Sequence, residues 1–185
     1  MKKLVPIFLI ATGFLFSCGT KTDETSQSNS EAAPLEGGQS TVDDPDSTPD
    51  IVKVASGSAD HSTLVAALKA AEYVDVLANA GPFTVFAPTN AAFEQLPPGT
   101  VEDLLKPENK DALRNILEYH VFVGVINENM MLEGRVLNQV NLDDVTVHNQ
   151  DGKLSVNDAN VLGIIKTSNG VIYSIDKVLL PPEKK

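Results

Sequence analysis

Cysteine is nearly absent from this 185-residue chain, with Cys18 as its single copy. No intramolecular disulfide can form, and with that cysteine engaged elsewhere Cys–His zinc sites are ruled out too. Positive charge is scarce: 14 lysines and arginines stand against 25 aspartates and glutamates, a net of −11 at pH 7. From Ile51 onward there is no basic cluster apart from the terminal Lys184-Lys185. Binding of nucleic acid or anionic lipid through charge is therefore disfavoured. The motifs that announce catalysis are missing too, with no G-x-S-x-G elbow, no H-E-x-x-H and no Gly-rich phosphate loop. His61, His120 and His148 lie far apart and in different kinds of element, and nothing favours a triad built from the many serines. The composition points to a non-enzymatic protein without cofactor or metal.

What is present falls into three regions, 1–17, 18–50 and 51–183. Lys2 and Lys3 precede an apolar run from Leu4 to Phe16. Thirteen residues of helix rise only about 20 Å against a hydrocarbon core of about 30 Å, and Pro6 does not help. A removable secretory signal is the reading that fits. Leu15-Phe16-Ser17-Cys18 then resembles a bacterial lipobox, although Phe16 stands where a smaller residue is usual. The resemblance implies cleavage before Cys18 and a diacylglyceryl group on its thiol. Several acyl chains, at about 0.8 kcal/mol per buried CH₂, give a stable membrane anchor.

Gly19 to Asp50 is poor in apolar residues and carries one lysine against eight acids, a net of −7. Such a stretch cannot bury enough surface to offset its ordering entropy, so the expectation is a disordered tether. Its root-mean-square reach is about 30 Å. Lys21-Thr22-Asp23-Glu24 resembles the acidic surface-export signals of some Gram-negative lipoproteins. Without Met1 to Ser17 the mature chain has a net charge of −13, and the region from Ile51 onward holds 11 basic and 17 acidic side chains.

That last region spans 133 residues to Glu183, enough for one core. Ile51 to Ala55 is a short apolar element. Asp60 offers a cap, Leu64, Val65, Leu68 and Ala71 repeat at helical spacing, and the helix bends or restarts near Glu72. Gly81-Pro82 is a turn pair and Phe83 to Phe86 a buried strand, which Pro88 should stop near Ala87. Thr89 or Asn90 can cap a short helix through Phe93, and Thr100-Val-Glu-Asp103 matches a capping box. Asn109 can cap the next helix, on which Leu113, Ile116, Leu117 and His120 share one face. Val121 to Val123 switches to a strand pattern, and Met130-Met131-Leu132 reads as a short helix or turn on the core. From Asp144 the period becomes two, with hairpin turns at Asp151-Gly152 and Ser168-Asn169-Gly170. Early helices and late strands define an α+β fold in which the strand at Phe83 joins the later sheet.

Two separated blocks resemble one family. Gly81 to Pro97 (GPFTVFAPTNAAFEQLP) is similar to the first conserved block of fasciclin-type domains, and Asn169 to Pro182 (NGVIYSIDKVLLPP) to their closing block. Leu117-Glu-Tyr-His120 is similar to the tyrosine-histidine motif at a helix end. The resemblance implies a fasciclin-like wedge or sandwich of β-strands with several helices packed on it. It also implies an extracellular or envelope-anchored module associated with adhesion and matrix binding, with no typical catalysis. One departure stands out: Leu137 to Leu142 (LNQVNL) replaces the threonine-leucine-x-glycine turn of many members.

In the animal branch of that family the tyrosine-histidine pair is linked to adhesion, which makes Tyr119 and His120 candidate partner-binding residues. The alternative reading gives His120 a structural place as a hydrogen-bonded imidazole at a helix-to-strand corner. Asp143-Asp144, with Asp151 and Asp158, reads as a solvated acidic loop rather than a cation site. The expected function is a tethered adhesion or binding module facing a protein or glycan of the envelope or matrix. The other reading is a periplasm-facing lipoprotein that holds a small apolar ligand or regulates an envelope complex.

Overall fold

The computed structural model describes residues 48–182. The signal segment, Cys18, the tether up to residue 47 and the terminal lysines lie outside the described residues. The first helix, α1 (Ile51–Gly57), starts at Asp50, whose side chain accepts the Lys53 N–H at 2.8 Å. Asp50, placed by sequence at the end of the tether, is the N-cap of α1, and the Pro49 carbonyl before it accepts the Ser168 N–H at 3.1 Å. Four more helices are short: α2 (Ser62–Ala70), α3 (Val74–Ala78), α4 (Asn90–Glu94) and α5 (Thr100–Leu104). The break between α2 and α3 falls at Glu72, which has a φ of 52°. The amphipathic α6 (Lys110–Tyr119) buries Leu113 and Leu117 as its spacing predicts.

Seven strands follow or interleave: β1 (Phe83–Pro88), β2 (Val121–Val123), β3 (Val136–Asn138), β4 (Asp144–Gln150), β5 (Lys153–Val156), β6 (Ala159–Lys166) and β7 (Gly170–Ile175). Their order is β2-β1-β7-β6-β5-β4-β3, and only β1 and β7 run parallel. That central pair is buried on both faces, as a parallel pair covered by other layers should be. Alternation then divides the interior in two. Val85, Ala87 and Ile172 pack against α1, α2, α3 and α6. Phe86, Val171, Tyr173 and Ile175 pack with Val145, Val147 and Val156 inside the curved antiparallel half. The pair begins where Phe83 meets Gly170, and a Cβ at Gly170 would collide with the Phe83 carbonyl. Only glycine allows that approach.

The two ends of the sheet are tied through the segment just after β3, because the Val140 N–H donates to Val121 O of β2 at 2.9 Å. This gives the sheet a nearly barrel-like form. The short β3, within the stretch that departs from the family's turn, was not foreseen from sequence. Five local expectations are also corrected. β1 runs through Pro88, one residue beyond the expected stop, because in the parallel pairing the Thr89 N–H, and not that of Pro88, donates to Ile175 O at 3.1 Å. Asp60 does not cap α2; Asn90, from the start of α4, accepts the Thr63 N–H at 3.0 Å instead. Neither Thr89 nor Asn90 makes a side-chain cap on α4, and the cap position of α5 is Gly99 rather than Thr100. Asn109 makes no cap bond on α6, because its side-chain amide donates to the Asp103 carbonyl at 2.8 Å.

Candidate functional site

The tyrosine-histidine pair sits where α6 gives way to β2. A helix leaves its last carbonyls without partners, and His120 supplies one. Its Nδ1 donates to the Ile116 carbonyl at 2.8 Å, and its Nε2 accepts the Leu179 N–H at 3.0 Å. With one nitrogen donating and the other accepting, the ring is the neutral Nδ1-protonated tautomer. Its own carbonyl accepts from Phe86 N at 2.9 Å. One residue therefore joins α6, β1, β2 and the segment after β7. The side chain is 2 % exposed, and burial lowers its pKa to about 4 against the opposing pull of the Ile116 carbonyl.

Tyr119 points into the other core. Its hydroxyl donates to the Asp144 carbonyl at 3.0 Å and accepts from Asn157 Nδ2 at 3.1 Å, fastening α6 to β4 and to the β5–β6 turn. Burial pushes the phenol pKa up. Both members of the pair are thus inside the fold, with every side-chain polar atom engaged internally. Adjacent in sequence, they serve opposite sides of the central strands.

His61 forms a second buried arrangement. Its Nδ1 lies 2.8 Å from Ser58 Oγ and its Nε2 3.2 Å from Ser174 Oγ on β7. Burial lowers its pKa, opposed by the neighbouring Asp60 carboxylate. A serine beside an imidazole is one part of a nucleophilic constellation. Here a serine hydroxyl holds the Nδ1 position where an orienting carboxylate would stand, and Ser174 is itself buried. The contact fastens the α1–α2 turn to the central strand. Ser58 and His61 have the spacing of a local pair, whereas Ser174 lies 113 residues away and no sequence signal marks it.

The acidic candidates are dispersed among polar partners. Asp143 accepts from Asn141 Nδ2 at 2.8 Å, Asp144 from Asn138 Nδ2 at 2.9 Å, and Asp158 pairs with Lys177 at 3.1 Å. Among the described residues no group of three or more potential metal ligands comes together. An apolar crevice lies between α2, α4, α5 and α6, lined by residues such as Leu64, Phe93, Leu104 and Leu117, with His120 at its floor. Its interior has room for about one water molecule.

Comparison with known proteins agrees with this architecture. The model of the Fasciclin domain matches residues 59–181, and the chain belongs to the fasciclin-domain family. It is 52 % identical over 138 residues to Protein sll1483 of Synechocystis sp., covering 74 % of this chain and 76 % of that protein. It is 39 % identical over 144 residues to the cell surface glycolipoprotein MPB83 of Mycobacterium bovis, covering 71 % of this chain and 60 % of that protein. A solved FAS1 domain pair from the insect cell adhesion molecule fasciclin I shares the fold. Its TM-score is 0.66 at 18 % identity, covering 71 % of this chain and 51 % of the insect one. This chain thus spans about half of that structure. Among the described residues no helix is long and apolar enough to cross a membrane.

Proposed function

We propose that this protein is a non-catalytic binding module of the cell envelope. Cys18 carries its lipid anchor, the acidic tether holds the fasciclin domain off an outer membrane, and the domain engages a protein or glycan in adhesion, matrix or biofilm-type contacts. One observation carries the reading: the imidazoles of His61 and His120 and the phenols of Tyr119 and Tyr173 are engaged in internal hydrogen bonds, so their chemistry goes into holding the fold. What remains to meet a partner is surface shape and charge. A relative named as a cell surface glycolipoprotein and a structural neighbour named as a cell adhesion molecule support the same class. The part proposed for Tyr119 and His120 is indirect, through the strands and loops that they position.

Protease treatment of intact cells tests display. The domain is expected to be shaved off, whereas resistance until the outer membrane is opened would turn the reading to a periplasm-facing lipoprotein. Cys18→Ser is expected to abolish lipid anchoring and release the protein from the membrane fraction. A variant still processed and still membrane-bound would remove the lipid anchor from the proposal. The apolar crevice favours the second reading, a small apolar ligand, only if the half-buried α5 swings outward to enlarge it.

A further inference from the structure

The seam between β5 and β6 is open along most of its length. These strands pair only at Ser155–Asn160 and Val156–Ala159, next to their turn. β5 nevertheless reaches back to Lys153, and β6 continues to Lys166. After Asn160, β6 crosses to β7, with an irregularity between Val161 and Gly163. A cleft remains between the diverging strands, with Leu154 on one wall, Leu162 and Ile164 on the other and Glu128 at the rim.

The register shows which backbone groups face this cleft. The Thr167 N–H donates to Gly170 O at 2.9 Å, so Thr167 is turned toward β7, and by alternation so are Ile165 and Gly163. Leu162, Ile164 and Lys166 therefore turn their N–H and C=O groups the other way, where no strand is paired. On β5, Lys153 faces Gln150 across the two-residue turn at Asp151-Gly152. The groups of Leu154 consequently point into the cleft. Two unpaired sheet edges thus face one opening, and the side chain of Leu162 is 61 % exposed beside it.

We infer that this seam accepts an extended polypeptide segment as an added strand, with aliphatic side chains in its middle and carboxylates toward the mouth of the cleft. Strand addition lets main-chain hydrogen bonds supply affinity while side chains supply selectivity. The carboxylates follow from charge. Lys153 lines the cleft and Lys166 lies two residues beyond Ile164 on β6; among the described residues neither forms an ion pair, and they stand against Glu128 and Asp151 at this end of an acidic protein. At the closed end Asp158 is already balanced by Lys177. A second copy of the domain does not fit, because a strand entering the seam needs two free edges. The β6 of another copy is flanked by its own β7. Edge lysines also discourage indiscriminate pairing between sheets.

This inference rests on the binding-module reading and gives it a site, but the two are tested separately, since surface shaving is blind to the seam. The probe is a peptide of roughly seven residues, alternating valine and threonine with glutamates at one end for the mouth of the cleft, used on the full-length protein. Hydrogen–deuterium exchange is expected to slow in residues 153–156 and 161–166 on peptide addition. A lysine-ended peptide should bind roughly tenfold more weakly, and one with a central proline should give no protection. K153E/K166E should reverse the charge preference. Ile164→Pro removes an outward N–H and should abolish protection; Leu162→Lys carries the same expectation if that variant fails to fold. Absence of protection at saturating peptide, or protection confined to the α5 crevice, would overturn the inference. So would protection that grows with protein concentration alone, which would mark the seam as a contact between copies.

Discussion

The two faces of the β1–β7 pair are built from alternate residues of the same strands, yet they use polar chemistry differently. On the helical face, polar side chains answer helix ends. Asn169 accepts the Ile51 N–H of α1 at 2.9 Å and donates to Leu77 O near the end of α3 at 2.7 Å. His120 bonds the Ile116 carbonyl of α6, and Asn90 the Thr63 N–H of α2. On the strand-enclosed face the core is aliphatic and aromatic, with Tyr119 and Tyr173 each sending a hydroxyl to a backbone carbonyl at its margin. The difference follows from backbone satisfaction. A sheet ladder pairs its own amides, while a short helix leaves several groups at each end that something else must meet. Four of the six helices have seven residues or fewer, so end groups dominate that face.

Breaking the strand-enclosed core should have the largest effect. Phe86 is fully buried against Tyr173, their ring centroids 5.8 Å apart. Phe86→Ala is expected to cost about 3–5 kcal/mol in chemical denaturation, against about 0.5 kcal/mol or less for Leu162→Ala at the open seam. Acid should act on the helical face instead. The His120 pKa is lowered to about 4, so the folded state favours the neutral ring while the unfolded chain takes up a proton below about pH 6.5. That contribution is fully present above pH 6.5 and is lost as pH falls toward 4, amounting to about 3 kcal/mol at most. His61, also lowered by burial, adds in the same direction. His120→Asn should flatten the slope of stability across that window, even though it lowers stability at neutral pH. An unchanged slope would show that acid sensitivity lies elsewhere. A smaller effect within the strand-enclosed core sharpens the contrast. Tyr173→Phe removes the bond to Ile126 O at 2.7 Å and should cost about 1 kcal/mol. It should leave the acid slope intact, because burial pushes that phenol up to about 12.

Much of this was legible from local pattern. The apolar face of α6, the run at Phe83–Phe86 and the alternation after Asp144 each carry their period in a few consecutive residues. The Asp151-Gly152 hairpin was readable because both residues take the left-handed φ that such a turn requires, 53° and 77°. Helix caps were the weak point. A residue of capping type before a helix has a local geometry available, but the Thr63 amide and the Asp103 carbonyl found partners brought by other segments. The strand β3 escaped notice because three residues with one buried side chain, Leu137, do not make a period. The open seam was equally invisible, since it depends on which neighbour β6 follows after Asn160.

The sequence by itself determined the family, the α+β order of elements and the placing of His120 on the apolar side of α6. Each rests on contiguous residues whose spacing and turn chemistry act within a few ångströms. Tertiary structure alone decided that Tyr119 and His120 serve opposite cores, that Asn169 holds α1 and α3, and that β5 and β6 part company. Those outcomes depend on hydrogen-bond partners separated by 25 to 118 residues, and a buried polar group takes whichever partner the fold brings within reach.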